Sequence, residues 1–417
     1  MEKIIVNKSM GLKGNIKVDG AKNSILPILA ATLLSDEECV IHDIPKLKDV
    51  EVMCELLEAI GAEVIKLDEN SLKITTKEIK TSEAPYELIS KMRASFLVMG
   101  PLLARYGSAK VYMPGGCAIG TRPIDLHLKG FKALEADVIS ESGYVHSKAE
   151  KLIGADIYLD FPSVGATENV IMAATLAEGE TILENAAEEP EIVDLANFIN
   201  SMGGNIIGAG TKTIRIKGVK KLHKTDHTVI PDRIEAGTYM VAAAITNGDL
   251  VIENVVSSHV QPVIAKLRET GVTIEEYEDK IRVKSNGFIK PVDIKTLPYP
   301  GFPTDMQAQF MALMSLAEGT SVINETIFEN RFMHANELAR MGVNVKTEGN
   351  TAILKGKSNL SGAKVKATDL RGGAALILAG LAAEGETVIT EVYHIKRGYA
   401  DIVEKLQKVG AKIRYEE

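Results

Sequence analysis

With 417 residues, 45% hydrophobic and 25% charged, and a formal net charge of -8, the chain is too long for one hydrophobic core. It is also too acidic for a general nucleic-acid binder, whose phosphate contacts need a basic surface. The N-terminal MEKIIVNKSMGLKG lacks a signal-like apolar core and no apolar run is long enough to span a bilayer, so a cytoplasmic chain without a membrane partner is expected.

In chain order one pattern returns six times: an alanine-rich helical stretch, a turn, a short β-branched strand, a polar loop, an amphipathic helix, and a glycine turn into another strand. The copies begin at Ile25, Met92, Asn169, Ala236, Met306 and Gly373, with closing turns at Gly61, Ala136, Gly204, Gly271, Gly342 and Gly410. One helix pair and a few strands cannot bury their apolar faces alone, so the copies must pack on each other. The last copy is as apolar as the middle ones and carries no polar cap, which favours closed groups over an open solenoid.

The copy at Met92 is the deviant. Its turn has become RYGSA, and its loop has grown into MPGGCAIGTRPIDLH. Cys117 lies there between glycine hinges, near Arg122, which reads as a mobile lid with a reactive thiol, the alternative being an inert loop cysteine. The Gly115 to Gly120 spacing resembles a phosphate loop, but Thr121-Arg122 stands where Lys-Ser or Lys-Thr is required. Cys39 and Cys54 read as small core residues, and three unpaired cysteines favour a reducing compartment.

Other polar groups recur where the repeat helices begin. Lys22-Asn23-Ser24 precedes the first helix, where backbone N–H groups and the macrodipole suit an anion; a solvated lysine is the plainer reading. Thr304-Asp305 precedes the helix of the fifth copy, where a carboxylate cap is expected unless a ligand hydroxyl comes within reach. Asp369 and Arg371 stand at the start of the last copy, Arg397 in its polar loop, and Arg93 and Arg331 in others. Guanidinium groups at equivalent loops can converge on one anionic small molecule. No HExxH, CxxC or EF-hand spacing occurs and the eight histidines are scattered, so no metal is expected.

On these residues the chain resembles the UDP-N-acetylglucosamine 1-carboxyvinyltransferase (enolpyruvyl transferase) family. The likeness is carried by DGAKNS (19–24), PGGCAIGTRPIDLH (114–127), PSVGATEN (162–169), EPEIVDLANF (189–198), PDRIEAGT (231–238), FPTDMQAQ, FENRFMH, ATDLR and YHIKRGY. It implies an α/β fold, a two-domain inside-out α/β barrel of six repeated helix-and-strand units with the site between the domains. One domain would comprise 1–21 and 229–417, the other 22–228 with the Cys117 loop. The implied reaction passes the enolpyruvyl group of phosphoenolpyruvate to the 3-hydroxyl of UDP-N-acetylglucosamine, releasing phosphate through a tetrahedral ketal. That reaction is the first committed step of peptidoglycan precursor synthesis and is the target of fosfomycin. No cofactor is implied, and a monomer is expected.

By the same resemblance Lys22, Asn23, Arg122, Arg371 and Arg397 would hold phosphoenolpyruvate. Arg93, Arg122, Pro123, Ile124, Asp125, Leu126, Ser163, Val164, Gly165, Asp305 and Ile327 would hold the nucleotide sugar. Asp305 is the candidate base, and Cys117 the proton donor and site of a covalent adduct; Lys22 and Arg397 complete the catalytic set. Where some relatives carry a lysine before the SVG segment, this chain has Phe161-Pro162. The rival readings are a 3-phosphoshikimate 1-carboxyvinyltransferase, which lacks the Cys117 loop, and a UDP-sugar-binding regulatory protein without turnover.

Overall fold

The structure is a computed structural model that describes residues 2–113, 120, 123–141 and 143–417. The chain forms two compact units, one of Met1–Asp19 and Pro231–Glu417, the other within Gly20–Ile230.

In the discontinuous unit the first helices of its three copies are Arg233–Ile245, Gln307–Met314 and Leu370–Ala382. Their alanine, glycine and branched residues leave no polar face for water, so the helices are buried almost throughout and pack on one another. The second helices are amphipathic. Gln261–Glu269 buries Val263, Ile264 and Leu267 on one stripe and leaves its charged residues outside.

The strands follow one scheme. The strand after each buried helix pairs antiparallel with the closing strand of its copy and parallel with a strand from outside it. Thus Asp249–Glu253 lies between Lys280–Lys284 and Lys13–Lys17, and Thr320–Asn324 between Thr351–Lys355 and Ile294–Lys295. In the last copy the strand that takes the place of Lys280–Lys284 and Thr351–Lys355 comes from the far end of the chain. Glu386–Thr390 and Lys412–Glu416 do not pair with each other; the N-terminal strand Lys3–Asn7 is inserted antiparallel between them. Ile4, Ile5 and Val6 are buried there.

The other unit repeats the scheme with buried helices Lys22–Ala31, Met99–Tyr106 and Val164–Ala174. Cys39–His42 pairs antiparallel with Leu72–Thr75 and parallel with Thr225–Thr228, so the end of this unit completes the sheet of its beginning. Glu180–Glu184 lies between Thr213–Lys217 and Asp156–Tyr158. In the deviant copy Ser108–Tyr112 pairs with Tyr144–Lys148, but its parallel neighbour shrinks to a single bridge between Glu83 and Lys110. Among the described residues there are six sheets, three to a unit.

Two sequence expectations shift by one residue. The closing turns need a left-handed backbone, found at Gly61, Gly271, Gly342 and Gly410 as expected, but at Glu135 (φ 67°) and Gly203 (φ 97°) rather than at Ala136 and Gly204. Cys39 is fully buried against Met202, whereas Cys54 is only half-buried on its helix. Among the described residues no helix is long and apolar enough to cross a membrane.

Candidate active site

In the discontinuous unit the polar groups at two helix starts meet. Asp305 does not cap its helix, as its sequence position suggested. It lies in the 3-10 turn Thr304–Met306, and its carboxylate turns to two arginines. Oδ2 accepts from Arg371 Nε (3.1 Å) and Nη2 (2.8 Å), and Oδ1 accepts from Arg331 Nη2 (2.9 Å). Both guanidinium groups are buried while the Asp305 side chain keeps 24% exposure, so the carboxylate is the outward member of the cluster.

Arg371 also stacks on the Tyr399 ring at 5.3 Å, and its Nη1 is buried without a hydrogen bond. Burial opposes its charge, but Asp305, Tyr399 and Asp232 outweigh burial and raise its pKa further.

Capping falls to Asp369, which accepts from the N–H groups of Arg371 (2.9 Å) and Gly372 (3.1 Å) at the start of Leu370–Ala382. Burial would raise the Asp369 pKa, but Arg331, His334 and the helix N–H groups hold it below the usual carboxylate range. A side chain at Gly372 would come within 2.8 Å of Asp369 Oδ2 and 3.0 Å of His334 Cβ, so only glycine fits. His334 is fully buried beside Met311, and burial pushes its pKa down to about 4. Arg397 follows the short helix Tyr393–Lys396, half-buried, and helps burial depress the neighbouring His394.

A carboxylate that the sequence reading passed over links Asp305 to Ile327. Glu325 is 1% exposed. It accepts from the hydroxyls of Thr296 (2.8 Å) and Thr304 (2.9 Å) and from the N–H groups of Ile327 (2.9 Å) and Phe328 (3.4 Å).

In the other unit Lys22 opens its helix, and its burial overturns the solvated reading: it is 7% exposed and paired with Asp49 at 2.9 Å. Asn23 beside it is half-buried, and Ser24 donates to Asp194, which also takes His227 (2.9 Å) and the Ile230 N–H (3.2 Å).

A second constellation gathers around His127. Its Nδ1 is 2.9 Å from Asn169 Nδ2, its ring stands edge-on to Phe96, and a side chain at Gly165 would touch it at 3.2 Å. Burial, with Arg93 adding to it, depresses its pKa to about 3. His127 therefore brings together Arg93, the segment Pro123, Ile124, Asp125 and Leu126 that leads into helix Asp125–Ala133, and the helix start at Ser163, Val164 and Gly165. Ser163 caps that helix by accepting from Ala166 N (3.4 Å), and Phe161 before it is exposed. Cys117 and Arg122 lie outside the described residues.

A family profile described as EPSP synthase (3-phosphoshikimate 1-carboxyvinyltransferase) matches residues 6–406. Among curated relatives, UDP-N-acetylglucosamine 1-carboxyvinyltransferase 1 of Caldanaerobacter subterraneus subsp. tengcongensis is 64% identical, covering 99% of both chains. The chain belongs to the UDP-N-acetylglucosamine 1-carboxyvinyltransferase family. Proteins of that name from Finegoldia magna (59% identical, 99% of this chain and 98% of the relative) and Staphylococcus aureus strain MRSA252 (56%, 99% of both) agree. The 3-phosphoshikimate enzymes share only the wider family. A solved EPSP synthase from Acinetobacter baumannii matches with TM-score 0.78 at 19% identity, covering 100% of both chains, which shows the fold. The enolpyruvyl transferase NikO from Streptomyces tendae matches with TM-score 0.89 at 25% identity, covering 99% of this chain and 98% of that one.

Proposed function

We propose that the chain transfers the enolpyruvyl group of phosphoenolpyruvate to the 3-hydroxyl of UDP-N-acetylglucosamine with release of phosphate. The observation that carries this reading is Asp305, a partly exposed carboxylate fixed between two buried guanidinium groups, in a chain 64% identical to a protein named for that transfer.

In this reading Cys117 protonates the enol methylene, positive charge develops on the adjacent carbon, and the sugar oxygen attacks it while Asp305 takes the hydroxyl proton. Loss of phosphate from the tetrahedral ketal, with a proton leaving the methyl group, regenerates the enol ether. Lys22, Asn23, Arg122, Arg371 and Arg397 bind the phosphate and carboxylate, where preorganised cations stabilise the departing charge. The buried, unpaired Nη1 of Arg371 supports an anion there. Arg93, Pro123, Ile124, Asp125, Leu126, Ser163, Val164, Gly165 and Ile327 hold the nucleotide sugar, and exclusion of water protects the cationic centre. The chain acts in the cytoplasm as a monomer.

The test is phosphate release by purified protein. Release is expected only when both substrates are present and not when shikimate 3-phosphate replaces the nucleotide sugar. No release with UDP-N-acetylglucosamine and phosphoenolpyruvate together overturns the reading.

A further inference from the structure

Of the residues that the proposed function places around the nucleotide sugar, two belong to the discontinuous unit: Asp305 in the 3-10 turn Thr304–Met306, and Ile327 in the loop that also carries Arg331. Two links between these segments stand out among the described residues. One is the Arg331–Asp305 ion pair at 2.9 Å, in which an assigned site residue takes part. The other is Glu325, whose carboxylate no role has been given.

Glu325 directly follows the strand Thr320–Asn324 and is almost completely buried. Its Oε2 accepts from the Thr304 hydroxyl at 2.9 Å, one residue before Asp305. Its Oε1 accepts from Thr296 Oγ1 at 2.8 Å and from the N–H groups of Ile327 at 2.9 Å and Phe328 at 3.4 Å. Thr296 extends the same network: its Oγ1 accepts from Thr326 N (2.9 Å), and its carbonyl accepts from Thr326 Oγ1. A buried carboxylate with four neutral donors fixes direction, because displacing any of the three segments would leave part of it unsatisfied in a low-dielectric setting.

Resting on the transfer activity proposed above, we infer that Glu325 is a positioning residue for the acceptor sugar. It sets the spacing between the Asp305 carboxylate and the Ile327 loop without touching either substrate. Its effect therefore falls mainly on the nucleotide sugar, through Asp305 and Ile327, and reaches phosphoenolpyruvate only indirectly, through the Asp305–Arg371 pair. A carboxylate that merely stabilised the fold would not discriminate between the substrates.

The experiment compares Glu325→Ala, Glu325→Gln, Thr304→Val and Thr304→Ser with the unaltered chain, by phosphate release with each substrate varied and by calorimetric titration with UDP-N-acetylglucosamine. Loss of a buried, charge-assisted hydrogen-bond network is expected to raise KM and Kd for the nucleotide sugar about ten-fold or more in Glu325→Ala. kcat falls with it as Asp305 is displaced, while KM for phosphoenolpyruvate stays within about three-fold. Thr304→Val moves the same constants in the same direction, and Thr304→Ser, which keeps the hydroxyl, restores them. Should Glu325→Ala not fold, Glu325→Gln and Thr304→Val carry the same test. Equal changes in both KM values, or a lowered melting temperature with unchanged constants, overturn the inference while the activity stands. An unaltered chain that releases no phosphate overturns the activity, and this inference with it.

Discussion

Asp305 Oδ2 accepts two hydrogen bonds from Arg371, through Nε and Nη2, so a single guanidinium edge clasps one carboxylate oxygen while Arg331 takes the other. Neither oxygen is left to rotate. Replacing Asp305 by asparagine keeps an oxygen but removes the charge and the base. Turnover is expected to fall about a hundred-fold or more, with nucleotide-sugar affinity largely kept. Phosphate-release kinetics and calorimetry check both, and a matching loss of affinity would contradict the assignment.

Removing the carboxylate entirely is a different case. Asp305→Ala leaves two buried guanidinium groups with neither their shared anion nor the acceptor oxygen that asparagine keeps, a change of the kind that costs about 3 kcal/mol of stability. Denaturant unfolding of the alanine and asparagine variants should separate them, the alanine variant having the lower midpoint.

Thiol chemistry should be confined to one residue. Burial pushes the Cys39 and Cys54 thiols up to about 12, with nearby glutamates adding to it, so neither supplies appreciable thiolate near neutral pH. An epoxide alkylating agent is therefore expected to add once per chain, and Cys117→Ser should abolish the adduct and most turnover. Mass measurement decides it: alkylation of the serine variant at an unchanged rate would mean the reactive thiol lies elsewhere.

Acid should weaken the fold through two histidines. Burial lowers the pKa of His127 to about 3 and of His334 to about 4, from an ordinary 6.5. Below pH 6.5 the unfolded chain takes up protons that the folded chain refuses. Their contribution is thus present above that pH and is lost as pH falls toward the folded values, by about 1.4 kcal/mol per unit for each histidine within its window. Glu235 runs the other way: burial raises it above the usual carboxylate range despite Lys405, so its contribution is lost as pH rises. Unfolding free energies at pH 7 and pH 5 should differ less in His127→Gln/His334→Gln than in the unaltered chain, and equal differences would refute the account.

Deleting the N-terminal strand should open the last copy. Ile4, Ile5 and Val6 are at most 1% exposed, so returning them to water costs about 5 kcal/mol or more. The deletion also leaves Glu386–Thr390 and Lys412–Glu416 with unpaired edges. Loss of the cooperative transition, or aggregation on light scattering, is the expected result.

The contrast between those residues explains what could be read in advance. The six copies are legible because helix and strand periods are local and recur along the chain. Lys3–Asn7 is not legible as their missing member, because its partners lie almost the whole chain away and no local pattern encodes that pairing. The arginines are noticed because guanidinium groups at loops suggest anions, but Asp305 reads as a cap because it directly precedes a repeat helix, the place where Asp369 does cap its own. What separates them is the reach of Arg331 and Arg371, which only tertiary structure supplies. Glu325 goes unnoticed for a similar reason: after a polar strand end, a glutamate reads as surface until the surrounding threonines are seen in space.

The inserted strand also imposes an order on biosynthesis. At about 5–20 residues per second the ribosome needs roughly 20–80 s between releasing Lys3–Asn7 and supplying Lys412–Glu416. Meanwhile the unit within Gly20–Ile230 has its whole sequence in one piece and can complete itself during translation. Lys3–Asn7 is therefore made long before its partners and is among the last strands to find its place, so an apolar KIIVN segment waits as a substrate for chaperones.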